Sequence, residues 1–243
     1  MSPLPLLFTL LAVPAWAREP TQPFPPDQPM PPKPPARSAP SPVHPPDARR
    51  LPSNLGVLTV ETVTAGWPLT SRGAALDMMS RYGIPDEMTA SALTWYDNGP
   101  WKRTIVHRDC DQHLFPKPHD DVLEQVVAFA VPLERYDDLA RYNGSVHADR
   151  TSGELSVRCD DEVTNTLLLN LAVQVAEGEL SVEAARRRAS DAVMEWLIGG
   201  VPAEMRALQF SVDTDRTTDL DETVIPWTFL RDHPGPAPRR PGS

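Results

Sequence analysis

Apolar and polar residues are distributed differently in two parts of this chain. From residue 18 to residue 52, proline occupies nearly every second or third position. From residue 55 to residue 229, prolines are sparse and apolar residues recur with the spacings of strands and helices. Residues 54–230 are therefore predicted to form one folded domain around a single hydrophobic core.

Short apolar runs bounded by turn residues predict the strands of one sheet. Pro116 and Pro118 are expected to keep residues 110–121, which lie between two of these runs, outside regular structure. The predicted strands are 55–63, 91–96, 101–108, 122–131, a hairpin with its turn at 151–154, and a last strand near 206–212.

Helical spacing with capping residues predicts four helices. Ser71, Asp160 and Ser181 are the expected N-caps of three of them, and a short helix is expected at 133–142. The helix after Asp160 is apolar around most of its circumference, which indicates a buried central helix. The faces expected to be buried in the first and last helices contain Ala75, Leu76, Met79 and Tyr82, and Ala185, Ala189, Ala192, Val193, Trp196 and Leu197.

The elements together predict an α+β fold: an antiparallel sheet of about five to six strands, helices packed on one face, and a central buried helix near 161–177. A formal net charge of −10 argues against a general nucleic-acid binder, which needs excess Lys and Arg. The basic run at 185–190 is interpreted as the solvated face of a helix.

The amino terminus predicts export. Residues 4–16 are largely apolar and lead into Ala-Trp-Ala ending at Ala17, the small-x-small pattern of a signal-peptidase site, although no Lys or Arg precedes them. The stretch is shorter than the roughly 20 apolar residues of a membrane span, and no later apolar segment reaches that length. We therefore expect a signal peptide at 1–17 and a periplasmic or secreted mature protein with no membrane span.

Two flanking segments have the composition of disordered chain. Residues 18–53 are rich in proline and poor in apolar partners, so they are expected to form an extended linker. Residues 231–243 are expected to form a loose tail.

The stretch HRDCDQHLFPKPHDD at residues 107–121 concentrates three histidines, four aspartates and one cysteine. Imidazole and carboxylate groups suit a divalent metal such as zinc, and the candidate ligands are His113, His119 and Asp121, with Glu124 on the following strand. The histidines are separated by five residues each, which is not a compact zinc pattern. A polar loop without a cofactor is thus the first expectation, and a metal site is the alternative.

The chain has two cysteines, Cys110 and Cys159. In an exported protein, an even count favours a disulfide between them. The alternative makes Cys159 a catalytic nucleophile at a helix amino terminus, with His113 or His119 as base. The three acidic residues that follow Cys159 oppose this alternative, because nearby carboxylates raise the pKa of a thiol.

Further polar residues precede and begin the central helix. A disulfide would bring them close to the histidines and create one binding pocket, whereas a salt-bridged hairpin beside a capped helix is the simpler alternative. The candidate binding residues are Asp121, Glu124, Arg150, Arg158, Asp160, Glu162 and Asn165.

Between residue 66 and about residue 196, the blocks GPWKRTIV, HLFPKPHDDVLEQVV, NGSVHADRTSGELSVRCDDEVTN and LLLNLAVQVAEGELSVEAAR resemble a family of secreted or surface-anchored bacterial proteins of unknown function. That resemblance implies no particular activity. The shorter stretch MMSRYGIPDEMTASALTWYDNG is similar to the small outer-membrane lipoproteins of the barrel-assembly machinery, which implies a binding module. This chain departs from them because no cysteine lies directly after its predicted cleavage site.

Two functions are compatible with these patterns. The first is a periplasmic binding or envelope-associated module whose partner is an envelope protein or a small ligand. The second is a hydrolase that uses a metal at His113, His119 and Asp121, or Cys159 as nucleophile. No Gly-x-Ser-x-Gly, His-Glu-x-x-His or phosphate-binding glycine loop supports the second.

Overall fold

A computed structural model describes residues 54–212, 217–233 and 235 of the chain. Within these residues the fold is α+β, with one six-stranded antiparallel sheet in the order β1-β2-β3-β4-β6-β5. The helices are α1 Asn54–Thr64, α2 Leu69–Tyr82, α3 Tyr136–Tyr142, α4 Glu162–Ala176, α5 Val182–Leu197 and α6 Trp227–Asp232, with single 3-10 turns at Leu133–Arg135 and Ala203–Met205. The strands are β1 Glu87–Met88, β2 Ala92–Asn98, β3 Trp101–His113, β4 His119–Ala128, β5 Val146–Asp149 and β6 Glu154–Cys159.

One face of the sheet carries the core. Leu93, Val106, Leu123 and Cys159 are register partners across β2, β3, β4 and β6, and all four are fully buried. Helices α2 and α4 pack against this face, and α5 packs on α4. The opposite face carries partly exposed side chains such as Glu124, so the predicted one-sided arrangement of helices is confirmed.

The central helix α4 begins one residue later than expected. The Asp161 carboxylate, not that of Asp160, accepts from the backbone N–H of Thr164, and Asp160 turns away from the helix toward Lys117. Almost every residue of α4 is buried, as predicted for the central helix. The predicted cap of α5 is confirmed, since the Ser181 hydroxyl accepts from the backbone N–H of Ala184.

Three predicted side-chain positions in helices are wrong. Helix α2 begins after Pro68, before the predicted cap, so Ser71 lies inside the helix and its hydroxyl donates to the carbonyl of Arg108 at 3.0 Å. The buried side of α2 includes Ala74, Ala75, Met78 and Met79. Leu76 is about 100° beyond Ala75, on the solvent side of the helix, and is 58% exposed. Leu197 is 63% exposed because the last turn of α5 extends beyond the core.

Two predicted strands are absent from the part of the chain that the structure describes. Residues 55–63 belong to α1, in which Val60 is buried; an apolar run this short does not distinguish a strand from a helix. Residues 206–212 are irregular, although Leu208 and Phe210 are buried as strand-like alternation would require. The side chain of Asn170, rather than a neighbouring strand, binds the backbone of this segment.

The predicted irregular segment 110–121 is mostly a β-hairpin. Strand β3 continues to His113 and β4 begins at His119, and these two residues are the last register pair. Pro116 and Pro118 lie in the five-residue loop 114–118 that joins the strands, so they end the ladder without preventing it.

The predicted signal peptide at 1–17 and linker at 18–53 lie outside the described residues, as does most of the predicted tail. Among the residues described, no helix has the length and apolar character needed to cross a membrane.

Candidate functional site

The end of the β3–β4 hairpin brings together the three residues predicted as alternative metal ligands. His113 and His119 face each other across the two strands, with ring centroids 5.2 Å apart. Asp121 lies two residues after His119, and therefore on the same face of β4. Its carboxylate has Oδ1 3.0 Å from Nε2 of His119 and Oδ2 3.6 Å from Nδ1 of His113. We call these three residues the His–Asp cluster.

Two loops and α5 surround the His–Asp cluster. Ser145, between α3 and β5, donates its hydroxyl to Oδ2 of Asp121 and lies 3.2 Å from Nδ1 of His113. The Arg186 guanidinium of α5 stacks on the ring of Phe115 in the hairpin loop, 3.9 Å from its centroid. The cluster is consequently well shielded: the side chains of His119, Asp121 and His113 are 1%, 6% and 20% exposed.

The hydrogen bonds of His119 fix the role of its two nitrogens. Nδ1 lies 2.7 Å from the carbonyl oxygen of Lys117, so Nδ1 must carry a proton and donate it. Nε2 is then directed at Oδ1 of Asp121, but the two groups are not aligned as a hydrogen bond. Both atoms are buried and have no hydrogen-bond partner among the described residues.

The two histidines differ in their electrostatic surroundings. Burial lowers the pKa of His113, and the neighbouring Asp121 carboxylate offsets this only in part. Burial also opposes protonation of His119, but the Asp121 carboxylate and the Lys117 carbonyl outweigh it and raise the pKa of His119.

A second group of donors includes the same His119. Cys159 ends β6 and is fully buried, and its thiol donates to Oδ1 of Asp160 at 3.2 Å. The Lys117 ammonium pairs with the other oxygen of Asp160. A ring nitrogen of His119, Sγ of Cys159 and a carboxylate oxygen of Asp160 lie within 4.8 Å of one another, as do the three ligand atoms of the His–Asp cluster.

Cys159 does not have the surroundings of a nucleophile. Burial and the Asp160 carboxylate raise the pKa of its thiol well above the ordinary value. A reactive cysteine needs an electropositive, accessible position, and Cys159 has neither property.

Cys110 and Cys159 are both free thiols in the structure, so the predicted disulfide is not formed there. Strand β4 lies between β3, which carries Cys110, and β6, which carries Cys159. Two strand spacings amount to about 9.5 Å. A disulfide joins Cα atoms roughly 4.4 to 6.8 Å apart, so bridging these cysteines would require the sheet to deform.

The remaining predicted binding residues do not share one pocket. Glu124 and Arg158 lie on the opposite face of the sheet, where Oε2 of Glu124 is 3.0 Å from Nε of Arg158 and 2.9 Å from Nε2 of His107. Arg150 pairs with Asp219 at 3.1 Å, near the β5–β6 turn. These residues form separate ion pairs.

Glu162 and Asn165 belong to a buried network between α4 and the sheet. The Glu162 carboxylate accepts from the Tyr82 hydroxyl at 2.9 Å, from Nε2 of Gln125 at 2.7 Å and from Nε1 of Trp101 at 3.3 Å. Asn165 donates to the carbonyl of Leu123 and to the side-chain oxygen of Gln125. The network attaches the first turns of α4 to the sheet.

Sequence reasoning missed three residues that surround the two donor sets: Ser145, Lys117 and Arg186. Lys117 lies within the quoted His-rich stretch, but its residue type did not suggest a ligand. Ser145 and Arg186 lie 24 and 65 positions after Asp121 in the chain, so only the tertiary fold brings them to the site.

In comparisons with protein-family models, curated proteins and solved structures, no match to this chain was found. Its function is therefore argued from the chemistry of the site.

Proposed function

We propose that this protein is an exported binding module that holds a divalent transition-metal ion, such as zinc, between His113, His119 and Asp121. One observation carries the proposal: Nε2 of His119 and Oδ1 of Asp121 are buried, 3.0 Å apart and without hydrogen-bond partners among the described residues. Their contact is an ion pair rather than an aligned hydrogen bond, so neither atom has a hydrogen-bond partner in the described part of the chain. A cation bound by both atoms would satisfy them.

The chemistry of the donors supports this assignment. Two imidazoles and one carboxylate are a common ligand set for zinc and related ions. The contact from Nδ1 of His119 to the Lys117 carbonyl is the outer interaction that typically orients a ligating histidine and leaves Nε2 available. The Ser145 hydroxyl gives the Asp121 carboxylate a comparable support.

The geometry favours binding over hydrolysis. Ser145, His113 and Asp121 resemble a catalytic triad in composition only, because the hydroxyl and the carboxylate approach the same nitrogen, Nδ1 of His113. In a working triad they contact opposite nitrogens, so that the imidazole relays a proton between them. The burial of His119 and Asp121 also leaves little room for a substrate at the proposed ion.

Export and the kind of partner are further parts of the proposal. The apolar stretch that ends at Ala17 supports a periplasmic or secreted location, and the proline-rich residues 18–53 support a tether to the domain. The partner would be an envelope protein or a small ligand, as the net negative charge disfavours nucleic acid.

Metal content and thermal unfolding test the proposal. Protein purified without a histidine tag should contain a transition metal near one equivalent, or take up one zinc ion after chelation. Zinc at about 100 times its dissociation constant should stabilise the folded state by about 2.7 kcal/mol, or roughly 5–10 °C in Tm.

His113→Ala and Asp121→Asn should each abolish this stabilisation. His147→Ala is the matched control, because His147 is an exposed histidine on β5, and it should keep the full zinc response. A wild-type protein that binds no zinc and melts identically with and without zinc would refute the proposed function.

A further inference from the structure

His119 belongs to two sets of possible metal ligands that differ in chemical softness. The His–Asp cluster offers two nitrogens and one oxygen, whereas His119, Cys159 and Asp160 offer nitrogen, sulfur and oxygen. We call the latter the Cys159 set. Sheet topology explains the arrangement: β4 carries His119 and lies between β3, which supplies His113, and β6, which supplies Cys159.

We propose that the Cys159 set is a second site, for thiophilic ions such as cadmium(II) or copper(I), and that it excludes occupation of the first site because both require His119. Thiolate selects soft ions, while imidazole and carboxylate accept borderline and harder ones. The inference rests on the proposed function only in that His119 is a ligand in both sites.

The burial of the Cys159 set supports a binding role for its sulfur. Cys159 is fully buried beside a carboxylate, and the His119 side chain next to it is 1% exposed, with a buried nitrogen that has no hydrogen-bond partner in the described chain. Asp160 is more accessible, with 30% of its side chain exposed. Asp160 is therefore the member of the Cys159 set that faces solvent.

Lys117 acts as an internal competitor for this site. Its ammonium pairs with Asp160, so an ion that uses the Asp160 carboxylate must displace a positive charge. Magnesium or calcium gains nothing from sulfur and would not offset this displacement. A thiophilic ion replaces the Cys159 thiol proton, which is released to solvent, and forms an additional bond to the sulfur, so Lys117 makes the site more selective.

Ultraviolet absorption during cadmium titration tests the proposal directly. Wild-type protein should develop a thiolate-to-cadmium absorption band that saturates at one equivalent. Cys159→Ser should lose the band, while Cys110→Ser, the matched variant of the other free thiol, should keep it. Lys117→Met should tighten cadmium binding several-fold, whereas Lys102→Met, which removes a lysine from the distant pair with Glu154, should leave it unchanged.

The competition between sites gives a second measurement. Cadmium should displace zinc from wild-type protein, and His113→Ala should lose zinc binding but keep the cadmium band. X-ray absorption of cadmium-loaded wild-type protein should show a sulfur neighbour, which tests the assignment even if Cys159→Ser does not fold.

Failure of the two proposals is distinguishable. Zinc binding that depends on His113, together with bound cadmium that shows no sulfur neighbour, overturns the Cys159 set alone. A cadmium band that depends on Cys110 rather than Cys159 also overturns it. A cadmium band that depends on Cys159, in a protein with no zinc response, would instead overturn the His–Asp site.

Discussion

At the scale of single residues, three carboxylates each connect a separate group of polar side chains. Asp121 completes the His–Asp cluster, Glu162 joins α4 to the sheet, and Glu124 joins His107 and Arg158 on the opposite face. Each is buried or nearly so, and each lies within ion-pair distance of a side-chain nitrogen. Their contributions to stability can be separated because they lie on different faces or at different ends of the sheet.

Glu124 should make the protein less stable in acid. Burial would raise the pKa of its carboxyl, but the hydrogen bond from His107 and the charge of Arg158 lower it to about 2, from 4.5. Since the folded-state pKa is the lower one, this stabilisation is present above pH 4.5 and is lost as the pH falls toward 2. The loss should amount to at most about 3 kcal/mol.

Urea unfolding between pH 2 and pH 7 measures this effect. Glu124→Gln should be destabilised at pH 7 and should have a flatter stability profile below pH 4.5. Glu134→Gln, at an exposed position, is the control and should follow the wild-type profile. A Glu124→Gln profile as steep as that of the wild type would show that Glu124 does not dominate the acid response.

Glu162 should contribute more to the free energy of unfolding than an acidic residue that only interacts with the helix dipole. Its carboxylate accepts from the side chains of Tyr82, Trp101 and Gln125, and hydrogen bonds to a charged group contribute about 1.5–3 kcal/mol each. Glu162→Gln keeps the shape but loses the charge, and should destabilise by roughly 3 kcal/mol. Glu183→Gln, in the first turn of α5 and exposed, is the matched control for the helix-dipole effect and should cost under about 1 kcal/mol. Equal costs in the two variants, measured by urea unfolding, would contradict this role.

At the scale of elements, one side chain of α4 replaces a strand pairing. Asn170 is fully buried, its amide donates to the carbonyls of Glu204 and Ala207, and its oxygen accepts from the backbone N–H of Gln209. These three bonds hold the segment that carries Leu208 and Phe210 into the core. The segment thereby buries alternate residues without belonging to the sheet.

Asn170→Ala should release this segment locally. The substitution removes three hydrogen bonds to part-buried backbone groups, each contributing about 0.5–1.5 kcal/mol, so the segment should detach before the sheet unfolds. Hydrogen exchange of the Gln209 amide should accelerate strongly, while amides in β4 should change much less. Asp161→Ala is the control: losing the α4 cap should cost about 1 kcal/mol without selective exchange at Gln209. Uniform acceleration in both variants would contradict local release.

The same example shows what the sequence could predict about the elements. The strand predicted near 206–212 is absent, although Leu208 and Phe210 are buried, because an apolar pattern does not specify which partner binds the backbone between them. Pro116 and Pro118 lie in the loop 114–118, but the prediction that they keep all of residues 110–121 irregular is wrong, because proline does not show how far the ladder extends on each side. The expected Asp160 cap differs from the actual Asp161 cap because Lys117, from a distant loop, binds Asp160.

At the scale of the whole molecule, the order of strands determines the candidate site. The α+β class, the hairpins and the buried central helix followed from periodicity, and the residue types of the His-rich stretch identified His113, His119 and Asp121 before their positions were known. The sequence gives no local signal that Ser145 would meet Asp121. It likewise does not show that β4 would separate the two cysteines, because strand order depends on long-range pairing.

That strand order makes a prediction about the two thiols. With β4 between them, Cys110 and Cys159 should remain unpaired even in protein recovered from an oxidising compartment. Without reductant, unfolded protein should titrate two thiols with a chromogenic disulfide reagent. Native protein should react at Cys110 only, and slowly, because partial burial and the Asp120 carboxylate raise the pKa of that thiol. Cys110→Ser should abolish the native reaction, whereas Cys159→Ser should leave it intact, since Cys159 is fully buried. Unfolded protein that titrates no thiol until reductant is added would show that a disulfide forms and would contradict this prediction.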